Sequence, residues 1–245
     1  MNIKILGNGG AINNGLFYNS FIIDNHILFE TPPDIMITLN NQNININNID
    51  SIFISHFHGD HFFGFPFLVL NLFYNNFCKE FKKINIYGPK GLRDEINQLL
   101  IMAFSKDHPC YKWMNEYFIF NEISEKKAII SKYNVEYFEV EHMVITYGII
   151  LYKEDNIFLF SYIPDSIWTK NIEVILNNKP KIVIIDLNGN KNDKQKVHIS
   201  FDDLLEKGLK ITYEKTIYYG THLKEEFISN NKYIKCCKSG DEINL

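Results

Sequence analysis

The pattern of apolar and polar positions along the chain predicts alternating strands and helices, with strands dominating the first part. Short apolar runs bounded by turn residues are typical of strands, whereas apolar residues repeating every three or four positions are typical of helices. Strands are predicted at residues 3–6, 20–24, 27–30, 49–55, 84–87, 135–140, 147–152, 157–160, 181–185 and 216–219. Helices are predicted at residues 32–40, 65–75, 92–104, 167–176 and 201–208. This order favours sheets covered by helices.

Residues that cap helices or form turns mark the ends of several predicted helices and strands. Ser200 is expected to cap the helix at 201–208, with Asp202 and Asp203 favourably placed near the positive end of the helix dipole. Residues 153–156 predict the turn of a hairpin. The pattern is weakest at residues 105–130, where we expect a helical insertion.

Composition and charge narrow the class of protein. The 245 residues are 46% hydrophobic and 22% charged, the ordinary balance of a globular protein, and we expect one domain over 1–245. The net charge is -4 and Arg93 is the only arginine, so no overall basic field for nucleic acid is present. No apolar run suits a bilayer and no signal-peptide pattern precedes the first strand, so we expect a cytoplasmic protein without a membrane partner.

The four cysteines form no C-x-x-C pair, and we expect them to be reduced and mostly buried thiols. They are Cys78, Cys110, Cys236 and Cys237. Because Cys236 and Cys237 are adjacent, an additional metal site at this pair stays open as an alternative.

The strongest chemical signal is the segment at residues 56–61, which places three imidazoles and a carboxylate within six positions. Imidazole and carboxylate groups suit zinc and similar divalent metals. A turn after the preceding strand can direct one pair of side chains to one metal and the second pair to another position. The first pair is His56 and His58, and the second is Asp60 and His61.

Further ligand candidates follow later strands. His142, Asp165 and His222 each come just beyond a predicted strand, where loops on a rigid scaffold commonly carry functional side chains. Asp165 could instead cap the helix predicted after it, and His198 could be an ordinary turn residue beside Ser200. The histidines outside this scheme are His26 and His108.

The motif S-H-F-H-G-D-H at residues 55–61 resembles the H-x-H-x-D-H signature of the metallo-β-lactamase superfamily. The order of the later His142, Asp165 and His222 also matches, and Val197-His198-Ile199-Ser200 resembles the H-x-S segment of one branch. That branch contains transfer-RNA 3′-processing endonucleases and phosphonate-metabolism cyclic phosphodiesterases. The resemblance implies an α+β fold, a four-layer αββα sandwich.

The resemblance also implies two divalent metal ions, Zn²⁺ first, with Mn²⁺ or Fe²⁺ as alternatives. In that branch one metal would be held by Asp60, His61 and His222, the other by His56, His58 and His142, with Asp165 between them. A hydroxide bridging two such metals is expected to attack the phosphorus of a phosphodiester or cyclic phosphate.

Asp60 and three further residues are expected to support this reaction. His198 is the candidate to protonate the leaving alkoxide, and Asp60 to orient the hydroxide. Glu141 and Asp186 are candidates to hold imidazole N–H groups.

The chain departs from the branch at two positions. Pro164 stands where a glycine usually precedes the bridging aspartate, and Glu30 stands where an aspartate often follows the third strand. A glycine- and lysine-rich arm for transfer RNA is also absent from the sequence. We therefore expect a small-molecule or nucleotide phosphodiester as substrate and do not favour nucleic acid.

Three other readings remain open. The same metal core serves hydrolysis of lactones, lactams and thioesters, and some relatives are carrier or binding proteins without catalysis. Redox use of an iron pair is disfavoured, because His58 stands where diiron flavoprotein relatives carry a glutamate. A homodimer is expected from the resemblance alone.

Overall fold

The predicted strands form two separate sheets in the computed structural model, which describes residues 1–76, 80–152, 158–189, 197–213 and 215–245. The chain divides into two compact units. The first unit contains Met1–Gly7, Phe17–Ser124 and Ser239–Leu245, and the second contains Asn8–Leu16 and Glu125–Lys238. A single functional domain over residues 1–245 stays a prediction.

The first unit contains seven described strands in one mixed sheet. They are β1 (Asn2–Gly7), β2 (Ser20–Ile23), β3 (Ile27–Phe29), β4 (Ser51–Phe53), β5 (Ile84–Gly88), β6 (Phe118–Glu122) and β14 (Glu242–Asn244). The strand order is β14-β1-β2-β3-β4-β5-β6. Strands β14 to β3 pair antiparallel, whereas β3 to β6 pair in parallel, so polar residues after β3 and β4 emerge at one sheet edge.

Helices of the first unit bury an apolar stripe in its core. They are α1 (Ile35–Asn41), α2 (Gly59–Phe62), α3 (Phe65–Asn76), α4 (Leu92–Phe104) and α5 (Pro109–Tyr117). In α3, Phe65, Leu68, Val69 and Leu72 recur at helical spacing and are all fully buried. Burying each such side chain contributes about 1.5–3 kcal/mol before the cost of chain ordering. This packing holds the short helix α2, which carries Asp60 and His61.

The second unit contains the other seven described strands, again in one mixed sheet. They are β7 (Lys127–Ile130), β8 (Tyr133–Val140), β9 (Thr146–Tyr152), β10 (Phe158–Ile163), β11 (Ile182–Asp186), β12 (Ile217–Thr221) and β13 (Ile234–Cys236). Their order is β13-β12-β11-β10-β9-β8-β7, and β10 to β13 run in parallel. The carboxyl ends of β10, β11 and β12 therefore meet at one edge of the sheet.

Helical segments of the second unit follow the predicted positions with shifted ends. They are α6 (Lys170–Asn177), α7 (Phe201–Asp203), a π-helical turn (Leu204–Gly208) and α8 (Leu209–Thr212). Ser200 caps the second helical stretch as predicted, and it forms a reciprocal capping box with Asp203. The stretch continues four residues beyond the predicted end.

The structure corrects three of the sequence expectations. A helix occupies Pro109–Tyr117, but the helical insertion expected over 105–130 is wrong for its second half, which forms β6 and β7. The helix predicted from residue 167 starts at Lys170, and Thr169 caps it by accepting a hydrogen bond from the N–H of Ile172 (3.5 Å). The strand predicted at 157–160 extends to Ile163, so Asp165 lies just beyond its end.

The remaining sequence expectations concern the turn at 153–156, the cysteines, the last strands and membrane spans. The turn at 153–156 and Cys78 lie outside the described residues. Cys110 and Cys237 are buried, as expected, and Cys236 is partly exposed. The last two strands of the chain, β13 and β14, are not predicted by the pattern. Among the described residues, no helix has the length and apolarity needed to cross a membrane.

Candidate metal centre

The loop after β4 and the short helix α2 carry the histidine-rich motif in the first unit, and its side chains form two pairs. Nε2 of His56 lies 3.1 Å from Nδ1 of His58. Nε2 of His61 lies 3.5 Å from Oδ2 of Asp60. His56 and His61 are fully buried, and their rings lie 4.1 Å apart between centroids. The division of the motif between two metal positions stays a prediction.

Glu30 holds this loop from the end of β3, a role that the sequence did not reveal. Its carboxylate is fully buried, with Oε1 3.5 Å from Nδ1 of His61. Oε2 accepts a hydrogen bond from the N–H of Ser55 (3.2 Å). The hydroxyl of Ser55 lies 2.9 Å from Nδ1 of His56. Contacts of this kind on Nδ1 fix the orientation of the imidazole rings of His56 and His61. The position of Glu30 just after a strand was the available signal.

Asp165 is the common neighbour of the histidines in the second unit. Its Oδ2 lies 3.2 Å from Nε2 of His222 and 3.8 Å from Nε2 of His142. The same oxygen lies 4.0 Å from Nδ1 of His198. His142 follows β8 and His222 follows β12, whereas His198 lies shortly before α7. Asp165 is only 3% exposed. One carboxylate oxygen thus faces the imidazoles of three separate loops.

Asp186, the last residue of β11, contacts two of these three histidines. Its Oδ2 lies 2.7 Å from Nδ1 of His198, and its Oδ1 lies 3.4 Å from Nδ1 of His222. Backbone N–H groups of Ser166 and Asn188 also donate to this carboxylate, at 3.2 and 2.9 Å. A buried charge with several donors is stabilised where it stands. Asp186 therefore orients both rings, as expected of it from the sequence.

The protein groups around His198 raise the pKa of this imidazole above its ordinary value. Burial is the largest influence and acts to lower the pKa. The hydrogen bond to Asp186 and the negative charges of Asp186 and Asp165 outweigh it, although the neighbouring His222 opposes them.

The backbone of His222 adopts a left-handed conformation, with φ of 57°. The preceding strand β12 ends at Thr221, and the N–H of Leu223 then donates to the carbonyl of Asn8 (2.7 Å). The N–H of Gly10 donates to the carbonyl of Leu223 (2.9 Å). A Cβ on Gly10 would lie 2.9 Å from Cε1 of His222 and 2.6 Å from the side chain of Asn188. The segment at residues 8–10 therefore packs closely against His222 and its neighbour Leu223.

Other residues singled out in the sequence lie elsewhere or act differently. Asp165 does not cap α6, because Thr169 does. The side chain of Glu141 is exposed, and its backbone carbonyl accepts from the N–H of Ile167 (3.1 Å). His26 pairs with Asp50 on the surface (3.1 Å between Nδ1 and Oδ2). His108 caps α5.

The donor chemistry of both clusters fits a divalent metal of the zinc type. Each cluster combines imidazole nitrogens with carboxylate oxygens, the ligands that zinc and comparable ions prefer. In the second unit, Asp165, Asp186, His198 and His222 each offer a ligand atom within 4.8 Å of the others. The described residues can therefore hold metal, and outer carboxylates such as Glu30 and Asp186 set the orientation of the rings.

Two mixed sheets flanked by helices, with histidine and aspartate loops at the strand ends, define a protein of the metallo-β-lactamase fold. YhfI of Bacillus subtilis, a protein of this fold, superposes with a TM-score of 0.76 over 99% of this chain and 98% of that one, at 14% identity. The predicted α+β fold class is confirmed.

The chain belongs to the family of the anti-Pycsar protein Apyc1, whose model matches residues 1–238. Ribonuclease Z of Picrophilus torridus is 32% identical over 187 residues, which are 72% of this chain and 56% of that protein. The chain thus spans about half the length of this relative. A diphosphatase of the PhnP family superposes with a TM-score of 0.71 over 100% of this chain and 97% of that one, at 15% identity. These similarities confirm the branch that the motifs indicated.

Proposed function

We propose that the chain is a metal-dependent hydrolase that cleaves a phosphodiester or a cyclic phosphate. The observation that carries the proposal is the arrangement around Asp165, where one buried oxygen faces His142, His198 and His222. The relatives support the same class, since one is a ribonuclease Z and another a diphosphatase.

We propose further that seven side chains hold two divalent ions, Zn²⁺ first, with Mn²⁺ or Fe²⁺ as alternatives. The donor types and the pairing within each unit support this ligand set. It consists of His56, His58, Asp60, His61, His142, Asp165 and His222. Such ions, when bound, supply Lewis acidity and lower the pKa of water.

In this proposal His198 gives a proton to the leaving oxygen, and Asp60 orients the attacking water. One water adds to phosphorus, and the bond from phosphorus to the leaving oxygen breaks. A linear diester gives a phosphomonoester and an alcohol, whereas a cyclic phosphate gives one phosphomonoester that carries the new hydroxyl. The 2.7 Å contact with Asp186 supports this role, because it holds Nδ1 of His198 and leaves Nε2 as the donor. Only Asp60 and His198 act directly on the reacting atoms.

The substrate proposed here is a small phosphodiester, either a nucleotide or another low-molecular-weight compound. The net charge of -4 and the single arginine support a small substrate over a long polyanion. Cytoplasmic location and a homodimer stay predictions from the sequence.

The test is hydrolysis of bis-p-nitrophenyl phosphate by purified protein with Zn²⁺ or Mn²⁺. His58→Ala and His198→Ala should each lower kcat at least about 100-fold, because they remove a ligand and the proton donor. His26→Ala is the matched control, since His26 pairs with Asp50 outside the site and the variant should keep the wild-type rate.

The possible outcomes distinguish the proposed reaction from the proposed set of metal ligands. Absence of turnover with two metals bound per chain would exclude phosphodiester cleavage and favour a different scissile bond, such as a lactone or thioester. Absence of bound metal would contradict the ligand set.

A further inference from the structure

The segment between β10 and α6 carries Asp165, and its backbone is tied to two strand ends. The N–H of Ser166 donates to a carboxylate oxygen of Asp186, at the end of β11 (3.2 Å). The N–H of Ile167 donates to the carbonyl of Glu141, just after β8 (3.1 Å). The backbone that follows Asp165 therefore has a fixed course toward α6.

The indole of Trp168 lies in the same segment and is partly buried. Its Nε1 donates to Oε1 of Glu173 in α6 (3.0 Å), which fixes the direction of the ring. A Cβ on Gly208 would lie 3.4 Å from Cη2 of this ring, an ordinary van der Waals distance. The indole therefore packs against the π-helical turn Leu204–Gly208, in the helical stretch that follows His198.

Lys207 lies in that turn and joins the two segments. Its Nζ lies 5.3 Å from the centroid of the Trp168 ring, within the range of a cation–π contact. The same Nζ donates to Oδ1 of Asp203 (2.7 Å), a charge-assisted hydrogen bond. Oδ2 of Asp203 accepts from the N–H and the hydroxyl of Ser200, at 3.1 and 2.7 Å. Trp168, Lys207 and Asp203 thus form a clasp between the two segments.

The position of His198 depends on contacts of its own segment with the rest of the second unit. Its Nδ1 lies 2.7 Å from Oδ2 of Asp186, and the N–H of Gly189 donates to the carbonyl of Ile199 (2.9 Å). Both contacts run to β11 and the residues just after it, whereas the clasp runs to the segment of Asp165. A displacement of about 1 Å between reacting groups can cost about 100-fold in rate. A third connection of this kind therefore bears on catalysis.

We propose that Lys207 is a positioning residue that holds the segment of His198 in place relative to Asp165 through the clasp. The inference rests on the proposed function, in which His198 gives a proton to the leaving oxygen. Lys207 acts through Trp168 and Asp203 and not on the substrate. Its side chain is 42% exposed, so replacing it leaves the core of the second unit intact.

The test is Lys207→Met, which removes the charge and keeps an unbranched side chain. Hydrogen–deuterium exchange of the metal-loaded protein, followed by mass spectrometry, should be about threefold or more faster in residues 165–169 and 198–203. For bis-p-nitrophenyl phosphate, kcat should fall about threefold or more, whereas KM should stay within about twofold, because the contacts with substrate are unchanged. Lys207→Arg keeps the charge and the contact with the indole, so it should retain the wild-type exchange and kcat.

Lys179→Met is the matched control, because Lys179 also places its Nζ over an aromatic ring, 4.7 Å from the centroid of Tyr213. Lys179 follows the end of α6 that lies away from Asp165 in the sequence. The control variant should keep the exchange of both segments and the rate unchanged. Wild-type exchange in Lys207→Met, or faster exchange with a wild-type kcat, would overturn the inference.

The two measurements separate the inference from the proposed function. Absence of turnover by the wild-type protein would overturn the proposed function, and the exchange rates would still decide whether Lys207 holds the two segments. Turnover by the wild-type protein, with no effect of Lys207→Met on exchange or kcat, would overturn the inference alone.

Discussion

Asp186 is a single residue on which two imidazoles depend, since it contacts Nδ1 of both His198 and His222. Asp186→Asn keeps the shape of the side chain but removes its charge. We expect kcat for bis-p-nitrophenyl phosphate to fall about 100-fold or more, and the affinity for metal about tenfold or more. Steady-state kinetics measure kcat, and titration in competition with a chelating dye measures the affinity for metal.

The control for this prediction is Asp50→Asn, because Asp50 also pairs with a histidine, His26, but on the surface. It should leave both the rate and the metal affinity unchanged. A wild-type rate in Asp186→Asn at saturating metal would contradict the proposed orientation of the rings.

Gly10 shows how a residue without a side chain positions a functional one. In Gly10→Ala the new methyl group would come within 2.9 Å of the His222 ring and its carbonyl oxygen. We expect a loss of about 1–3 kcal/mol in the free energy of unfolding from overpacking, together with a lower rate of hydrolysis. Urea denaturation and steady-state kinetics measure the two effects.

Gly15 lies in the same segment and is the natural comparison. Nothing lies within 4 Å of a Cβ added there, and its φ is 86°. Gly15→Ala should therefore cost only backbone strain, about 1–2 kcal/mol, and leave the rate unchanged. Equal losses of rate in both variants would argue against a specific contact with His222.

At the scale of elements, the capping box at Ser200 and Asp203 starts the helical stretch that follows His198. Burial acts to raise the pKa of Asp203, but hydrogen bonds from Lys207 and Ser200 outweigh it, so the pKa is lowered overall. A carboxyl with a lowered pKa in the folded state stabilises the protein above its ordinary pKa. This stabilisation is lost as pH falls through the lowered value.

Asp203→Asn should therefore lower the free energy of unfolding by about 1 kcal/mol at pH 7, and the difference from wild type should shrink toward pH 3. Urea denaturation at both pH values measures it. Asp202→Asn is the matched control, because its carboxyl lies outside the capping box and should have a smaller effect. A loss in Asp203→Asn that does not change with pH would exclude the ionised carboxylate as its source.

The least predictable elements are those whose stability comes from distant partners. Strand β14 pairs with β1, and Ile243 lies opposite Ile3 across 240 positions of the sequence. Strand β6 follows a helix and pairs in parallel with β5. Neither β14 nor β6 has a local sequence pattern strong enough to predict a strand, whereas β1 and β5 do. The buried runs within the sheets were predictable because their apolar content is itself local.

At the scale of the whole molecule, the proposed ligands come from segments far apart in the sequence, so metal binding is expected to stabilise the folded chain. At a free metal concentration about 100 times Kd, the gain is about 2.7 kcal/mol. For a chain of this size that corresponds to a rise in Tm of about 5–10 °C. Differential scanning fluorimetry with Zn²⁺, before and after chelation, measures the shift.

Asp165→Asn should lose most of this shift, because Asp165 faces three imidazoles. Cys236→Ser should keep it, which distinguishes the proposed centre from a site at the two adjacent cysteines. An unchanged shift in Asp165→Asn would contradict the ligand set.

The candidate donor residues and most of the strands could be predicted from the sequence alone. His56, His58, Asp60 and His61 are neighbours in the chain, so their chemistry is visible without any fold. The apolar runs before each polar loop are also local features of the sequence, so they predict strands without knowledge of the fold.

Tertiary structure alone decided which imidazole each of the surrounding groups contacts. Glu30 reaches His61, Asp186 reaches both His198 and His222, and Gly10 packs on His222. A carboxylate after a strand looks the same in sequence whether it points to solvent or to an imidazole. Only the register and packing of distant strands bring the two groups together, because contacts of a few ångströms depend on the positions of many residues between them.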